Sequence, residues 1–217
     1  NSNTQPVNVN EGTLTLDKAA AALAVRSTLT IEDLNNFDPA GAAIVTYGAG
    51  GGTDNIDNAV TVTINDQGQL LLNNASETIT TLNVNGSRIG SNNVATGAGV
   101  LTLNGNFVTT GGTTAGNLVL NGAGSTLTYN SNSFGPNGQA LITAALDLGG
   151  LTRTFTINDN YAVNDLVITG AAVQAIIARF AVQTIIAGAA HQLVVSEGQS
   201  CNSSSASQNH RPRSRQR

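Results

Sequence analysis

The stretch that decides the fold is one short phrase written twice, Gly99-Val-Leu-Thr-Leu-Asn-Gly105 and Gly116-Asn-Leu-Val-Leu-Asn-Gly122. In both copies leucines alternate with small or β-branched residues, the two-residue period of a strand with one buried face, and Asn-Gly favours a turn. The copies begin 17 residues apart, and a related strand, Thr81–Gly86, ends 19 residues before Gly105. A repeat of about twenty residues is typical of solenoids, in which short strands lean on one another.

The same alternation recurs through most of the chain. It predicts strands at Gly12–Leu16, Ser27–Ile31, Val60–Ile64, Gly68–Leu72, Ile79–Val84, Ser125–Tyr129, Ala145–Gly150, Arg153–Ile157 and Asp165–Ile168. Lys18–Val25 is interpreted as a loop or a weak strand, and Asp33–Thr53, with its Asp-Pro and glycine run, as an irregular insert. We therefore predict an all-β, right-handed, single-stranded parallel β-helix (β-solenoid) over residues 1–170. Its Leu, Val and Ile stacks lie inside, and its Gly and Asn corners lie outside.

The composition favours the same architecture. Charged residues make up 10% of the chain and aromatic residues 4%, and Met and Trp are absent, whereas charged residues are about 25% of an average chain. A core without large aromatic anchors is built from many small aliphatic layers, and Asn and Thr form hydrogen-bonded ladders when equivalent positions stack. Residues 1–210 hold five basic and 13 acidic residues, a net charge of −8, so the body carries no nucleic-acid footprint.

The ends of the chain differ from its body. Residues 171–195 are rich in Ala and Ile and fit a strand or a helix equally well. Residues 196–217 form a basic tail that we expect to be disordered, and we hypothesise that it results from a frameshift or an assembly artefact. The chain begins at Asn1 without a charged and apolar leader, which is expected of a processed protein or of a fragment, and we favour a fragment. No stretch reaches the run of about eighteen apolar residues expected of a transmembrane helix.

The repeats also resemble a known family. Gly97–Asn106, continued by Thr110–Gly122, is similar to the autotransporter-associated β-strand repeat, whose pattern is Gly-x-Gly-x-Leu-x-Leu-x-Gly, a Thr/Gly-rich link and then Gly-x-Leu-x-Leu. Ala145–Ile157 resembles a phrase common between such repeats. With Ser76–Leu82, the similarity extends from Gly12 to Gly170.

This resemblance implies a location and partners. It implies a passenger region of a bacterial autotransporter, at the cell surface and associated with the outer membrane, or secreted. The implied partners are an outer-membrane translocator domain elsewhere in the parent chain and host or environmental glycans or proteins bound by adhesion. Adhesion would use broad, shallow faces or the Asp33–Thr53 loop, and no nucleic acid is expected as a partner.

One segment is close to a metal-binding motif. Ala49-Gly-Gly-Gly-Thr-Asp-Asn-Ile-Asp57 nearly matches the calcium nonapeptide, with Ala49 in place of the first glycine. Asp54 and neighbouring carbonyls would supply the oxygen ligands, but a single copy cannot form a site shared between stacked turns. A plain glycine loop is the favoured reading. A phosphate loop is set aside because Gly-Lys-Ser/Thr is missing and the nearest lysine is Lys18.

The other reactive residues form no recognisable constellation. Asp147 and Arg153 fit a sugar-cleaving site or, more simply, a solvated rim, since glycosidase chemistry needs two carboxyl groups at a set separation. His191 and His210 lie outside the repeats, Cys201 lacks a positioned base, and the tail arginines could bind anionic polymers. We therefore predict no catalytic, cofactor-binding or metal-binding residue and no cofactor. The predicted function is a structural or adhesive segment without enzymatic activity; the alternative is a carbohydrate-active β-helix enzyme, a polysaccharide lyase or hydrolase.

Overall fold

The computed structural model describes residues 4–19, 22–32, 42–50, 52–86, 92–130, 139–158 and 165–170. These residues form strands and connecting loops and contain no helix, so none that could span a bilayer is present among them. The strands are β1 (Val7–Val9), β2 (Gly12–Leu16), β3 (Leu29–Ile31), β4 (Ala43–Tyr47), β5 (Thr61–Asp66), β6 (Gln69–Leu71), β7 (Glu77–Ile79), β8 (Thr81–Gly86), β9 (Asn92–Ala95), β10 (Leu101–Leu103), β11 (Phe107–Ala115), β12 (Asn117–Leu120), β13 (Thr126–Tyr129), β14 (Ala140–Ile142), β15 (Ala145–Asp147), β16 (Thr154–Ile157) and β17 (Leu166–Ile168).

The strands stack as a parallel β-helix with three faces, which confirms the predicted fold class. The first sheet has the order β1-β3-β5-β8-β11-β13-β16, the second β2-β4-β6-β9-β11-β14-β17, and the third β7-β10-β12-β15. All of these pairs are parallel. Consecutive strands therefore turn a corner, and each strand pairs with the strand one coil away. In the third sheet the first two coils are represented by a single bridge between Val25 and Ile56.

The core consists of columns of apolar side chains, one residue from each coil. In the first sheet Leu29, Val62, Leu82, Phe107 and Leu127 occupy one column, and each is at most 1% exposed. Such columns form because alternate side chains of every strand point inward and the register places equivalent positions above one another. Burial is continuous from coil to coil, so the described coils share one core.

The doubled phrase confirms the prediction that its copies stack. Leu101 of β10 pairs with Leu118 of β12, and Leu103 pairs with Leu120, both in the third sheet. The strand stacked on the other side of β10 is β7 rather than β8. The offset of 19 residues from Thr81–Gly86 therefore does not relate equivalent strands, because β8 lies in the first sheet, between β5 and β11.

Two further segments differ from the sequence-based expectation. Ala43–Tyr47, inside the predicted irregular insert, is the regular strand β4, paired with β2 and β6. The predicted strand Ile79–Val84 is two strands, because the chain turns at Thr80 between the third and first sheets. Turn residues on both sides hid the alternation of β4, whereas the corner at Thr80 has no glycine, proline or asparagine to indicate it.

One corner depends on the absence of a side chain. The backbone of Gly122 passes so close to Asn104 that a Cβ on Gly122 would lie 1.8 Å from the carbonyl oxygen of Asn104. Gly124, two residues later, has open space around its Cβ position. The glycine that ends the second copy of the phrase is therefore required by packing between coils, rather than by turn flexibility alone.

Hydrogen bonds between asparagine side chains link neighbouring coils, as the composition predicts. Asn85 donates its amide to Asn65 Oδ1 at 3.0 Å, and Asn121 donates to Asn104 Oδ1 at 3.1 Å. Asn158 donates to Asn130 in the same way. Residues 171–217, including the ambiguous apolar segment and the basic tail, lie outside the described part of the chain.

Candidate functional site

The most unusual residue of the core is Glu77, the first residue of β7. It is 1% exposed and pairs in register with Leu101, which is followed in the same column by Leu118 and Leu146. Glu77 therefore occupies a position that the next three coils fill with leucine. A buried carboxyl group is costly unless hydrogen-bond donors surround it, so its partners define a local polar site.

Four donors surround this carboxyl group. Oε2 accepts the hydroxyl of Tyr47 and the backbone N–H groups of Asn55 at 2.9 Å and Ile56 at 3.0 Å. Oε1 accepts the N–H of Thr78 at 2.9 Å. Tyr47 belongs to the second sheet and Asn55 to the loop before the Ile56 bridge, so one side chain ties two coils together.

Burial raises the pKa of Glu77 from its usual 4.5 to about 7, although the hydrogen bonds from Ile56, Thr78 and Asn55 act in the opposite direction. Desolvation is the larger effect because the group lies within an apolar column, where charge is poorly solvated. The carboxyl group therefore changes its charge near neutral pH.

An open cleft of about 630 Å³ adjoins this cluster. Tyr47 forms part of its wall, and the other lining residues are Gly48, Ala49, Gly52, Thr53, Leu72, Asn73, Asn74 and Ala75. Asn73 fixes the wall by donating its amide to the carbonyl of Tyr47 at 2.8 Å and to Thr46 Oγ1 at 2.9 Å. Among the described lining residues none has a charged side chain, and Glu77 lies behind Tyr47 rather than in the wall. These residues offer hydrogen bonds and apolar contact.

The loop with the near-match to a calcium motif is held by its own hydrogen bonds. Asp54 Oδ1 accepts the N–H of Thr78 at 3.3 Å, and Asp57 Oδ1 accepts the N–H of Ala59 at 3.0 Å. Among the described residues no three His, Cys, Asp or Glu side chains converge as metal ligands would.

Asp147 and Arg153 are near each other in sequence and both bond to the backbone of the turn after β15, but not to each other. Asp147 Oδ1 accepts the N–H of Gly149 at 2.8 Å. Arg153 is 8% exposed, and its guanidinium donates to the carbonyls of Leu148, Gly122 and Leu120. The guanidinium thus links two coils through backbone carbonyls. His191, Cys201, His210 and the tail arginines lie outside the described residues.

The outward side of the first sheet forms a repeated, mostly polar surface, which we call the threonine face. Strand register aligns its residues in two rows: Thr61, Thr81, Asn106, Thr126 and Thr154 in one, and Thr30, Thr63, Asn83, Val108, Thr128 and Thr156 in the other. Neither row contains a charged residue. The register shift in β11 falls between Thr109 and Gly111, beyond the rows.

Sequence reasoning missed Glu77 and its contact with Tyr47. A signal did exist: aligning Glu77-Thr-Ile79 with Leu101-Thr-Leu103 places a carboxylate where the repeat has leucine. Tyr47 was hidden because it is 30 residues away and its segment was interpreted as an irregular insert. The threonine face was visible only as scattered Thr-x-Thr phrases.

Comparison of the chain with protein-family models, with curated proteins and with solved structures finds no match. The fold and the contacts described above are therefore the basis for a functional assignment.

Proposed function

We propose that this chain is a structural or adhesive β-solenoid segment of a bacterial surface or secreted protein, of the autotransporter passenger type. Its work is mechanical: it holds a stiff body away from the cell and presents flat faces. The resemblance of Gly97–Gly122 to autotransporter-associated repeats suggests the location. The stacked coils support the mechanical role.

The single observation that carries this proposal is the continuous parallel pairing of the first sheet, from β1 to β16, with one register shift at the end of the β8–β11 pair. Seven strands about 4.8 Å apart span about 29 Å between the outer two. Each inner strand pairs on both sides and shares one core, so bending the rod would break hydrogen bonds in several coils at once. A continuous ladder of this kind favours a spacer.

The polar residues support the same role. Glu77 ties Tyr47 to the loop at Asn55 and Ile56, and Arg153 ties Leu148 to Leu120 and Gly122. The polar groups of these side chains form hydrogen bonds between adjacent coils. We therefore assign them to the stiffness of the rod.

Limited proteolysis of the full chain tests the mechanical part. We expect a resistant product covering the stacked coils, from about β1 to about β17, identified by mass spectrometry after digestion with a protease of broad specificity. Rapid cleavage throughout the stacked coils would contradict a rigid spacer.

Labelling of intact cells tests the location. An antibody against the purified chain should bind intact cells of the producing bacterium, or detect the chain in the medium, and external protease should remove the surface signal. Detection only after lysis would contradict the surface assignment. Release of reducing or unsaturated ends from a panel of polysaccharides would instead support the alternative, a carbohydrate-active enzyme.

A further inference from the structure

We propose that the threonine face binds the surface of ice. This inference rests on the proposed function, because it names the material that an adhesive face of the rod would contact. The observation behind it is the pair of registered rows on the outward side of the first sheet, in which most positions are threonine.

The rows form a two-dimensional grid. Register pairs Thr61 with Thr81 and Thr126 with Thr154, while Thr63 and Thr128 stand two residues along the same strands. Neighbouring strands lie about 4.8 Å apart, and residues two apart along a strand are separated by about 6.7 Å. Hydroxyl and methyl groups of threonine thus recur at two fixed spacings across the face.

Ice has a grid of similar dimensions. With O–H···O distances of about 2.75 Å and tetrahedral angles, second-neighbour oxygens in ice lie about 4.5 Å apart, and the perpendicular repeat is about 7.3 Å. The strand spacing exceeds the shorter repeat by about 0.3 Å per step. That mismatch is small over two adjoining coils and accumulates over more. Two blocks of adjoining coils, one at Thr61–Thr81 and one at Thr126–Thr156, have this size.

Charge indicates a neutral occupant. The acidic residues of the described body lie elsewhere, and neither row carries a charged side chain. A charged polymer or an anionic membrane would gain no ion pair here. A neutral lattice of hydrogen-bonding water has no charges that need an ion pair, so binding to this face costs it no such interaction.

Area disfavours a second copy of the chain as the occupant. Six strands about 4.8 Å apart and four residues long present about 400 Å². A stable protein interface buries about 800 Å² on each partner. Binding to a solid surface requires a smaller contact area, because the surface does not lose conformational or rotational freedom when the protein binds.

The face also contains natural interruptions, which make the proposal testable. Asn83 is a non-threonine position within the first block, beside Thr81 on β8, and Asn106 and Val108 belong to the coil between the two blocks. Replacing all three by threonine would join the blocks into one grid. Conversely, a long charged side chain in each block would hold the face away from a flat lattice.

The experiment measures how much of the full chain enters slowly growing ice. The variants are Thr63→Lys with Thr128→Lys, the triple variant Asn83→Thr, Asn106→Thr, Val108→Thr, and the control Thr102→Lys on the outward side of the third sheet. Circular dichroism melting of every variant checks folding. We expect the wild type and the control to be enriched in ice about tenfold over the double lysine variant, and the triple variant to exceed the wild type.

Exclusion of the folded wild type and the triple variant from ice, to the same extent as the double lysine variant, would overturn the proposal. Binding to microcrystalline cellulose without enrichment in ice would also overturn it, in favour of a neutral polysaccharide. If ice enrichment fails while proteolysis still yields the resistant rod and cells still display it, only this inference is lost. If the rod itself is degraded, the proposed function fails first.

Discussion

Glu77 shows that a polar residue can occupy an apolar position of the repeat and still fit the core. Its carboxyl group occupies a leucine column, where apolar neighbours disfavour its charge, and four donors compensate in part. A buried charge is tolerated when it is well bonded, although a leucine of similar size would be less costly. The donors come from two coils. Glutamate in place of leucine therefore links adjacent coils at some cost in stability.

Replacing Glu77 by glutamine should change the pH dependence of stability. The folded pKa of about 7 lies above the usual 4.5, so the folded state binds the additional proton between these values. The contribution of Glu77 to the free energy of unfolding is therefore largest below pH 4.5 and falls, by about 3 kcal/mol, as the pH rises through 7. Glu77→Gln lacks this titration.

The measurement is chemical denaturation of both proteins from pH 4 to pH 8. The wild-type value minus the variant value should decrease across the window. Tyr47 and Asp54 are the titratable side chains of neighbouring segments that contact the site or its backbone, and both are retained in the variant. A difference that stays constant with pH would show that Glu77 does not titrate there.

Arg153 is a second residue whose loss should be costly. Its guanidinium donates to the carbonyls of Leu148, Gly122 and Leu120 from a buried position. Arg153→Ala removes one donor from each of these carbonyls, and the substitution should lower the free energy of unfolding by about 3 kcal/mol. The exposed Arg26 supplies a matched control, since Arg26→Ala should change it by less than about 0.5 kcal/mol. Equal effects of the two changes on denaturation midpoints would refute the role of Arg153.

At the scale of the element, a corner restricts the choice of residue as strictly as a strand does. The sequence predicts a turn at the Asn-Gly that ends each copy of the phrase. The chain bends there, but neither Gly105 nor Gly122 has a positive φ, and Gly122 is pressed against the coil below it. The hydrogen bond from the N–H of Asn121 to the carbonyl of Leu103, at 2.8 Å, continues the ladder up to this corner.

Gly122→Ala should therefore destabilise the rod, whereas Gly124→Ala should not. A Cβ at position 122 would lie 1.8 Å from the carbonyl oxygen of Asn104, and the backbone must shift to admit it. We expect a loss of about 1–3 kcal/mol. Thermal denaturation of both variants compares them directly; a Gly124→Ala variant that is as unstable as Gly122→Ala would mean that chain flexibility, rather than contact, is what matters.

The sequence was sufficient to predict the structure where the pattern that indicates a strand lies within that strand. Leucine alternation at Gly99–Gly105 and Gly116–Gly122 is local, and the structure places β10 on β12 as the repeat required. It failed for β4, because Gly41 and the glycines from Gly48 onward surround a buried alternation with turn residues. It also failed for the offset of Thr81–Gly86, since spacing in the sequence does not say which of three faces a strand occupies. The site at Glu77 needed that same information.

At the scale of the whole molecule, stability should be distributed along the rod. Each coil contacts mainly its two neighbours, so the chain behaves as a line of coupled units rather than as a single cooperative globule. The β5, β8 and β11 strands are flanked on both sides, whereas β1 is the outermost strand of the first sheet.

Amide hydrogen exchange should report this arrangement. We expect the slowest exchange at buried amides of β8 and the first half of β11 and progressively faster exchange toward β1. Mass spectrometry of peptides from the exchanged protein provides the profile. Uniform protection from β1 to β13 would indicate global unfolding as the only opening reaction and would contradict coil-by-coil behaviour.

The stacked phrase has an evolutionary consequence. Because Leu101 and Leu103 pair with Leu118 and Leu120, one strand of a coil lies in register on a near-copy of itself. A tandem duplication of the DNA for one coil therefore lengthens the protein without requiring a new interface to arise. The same property allows deletion of a coil. Descendants of one gene can therefore differ in length, while the remaining contacts between adjacent coils are of a kind that selection has already tested.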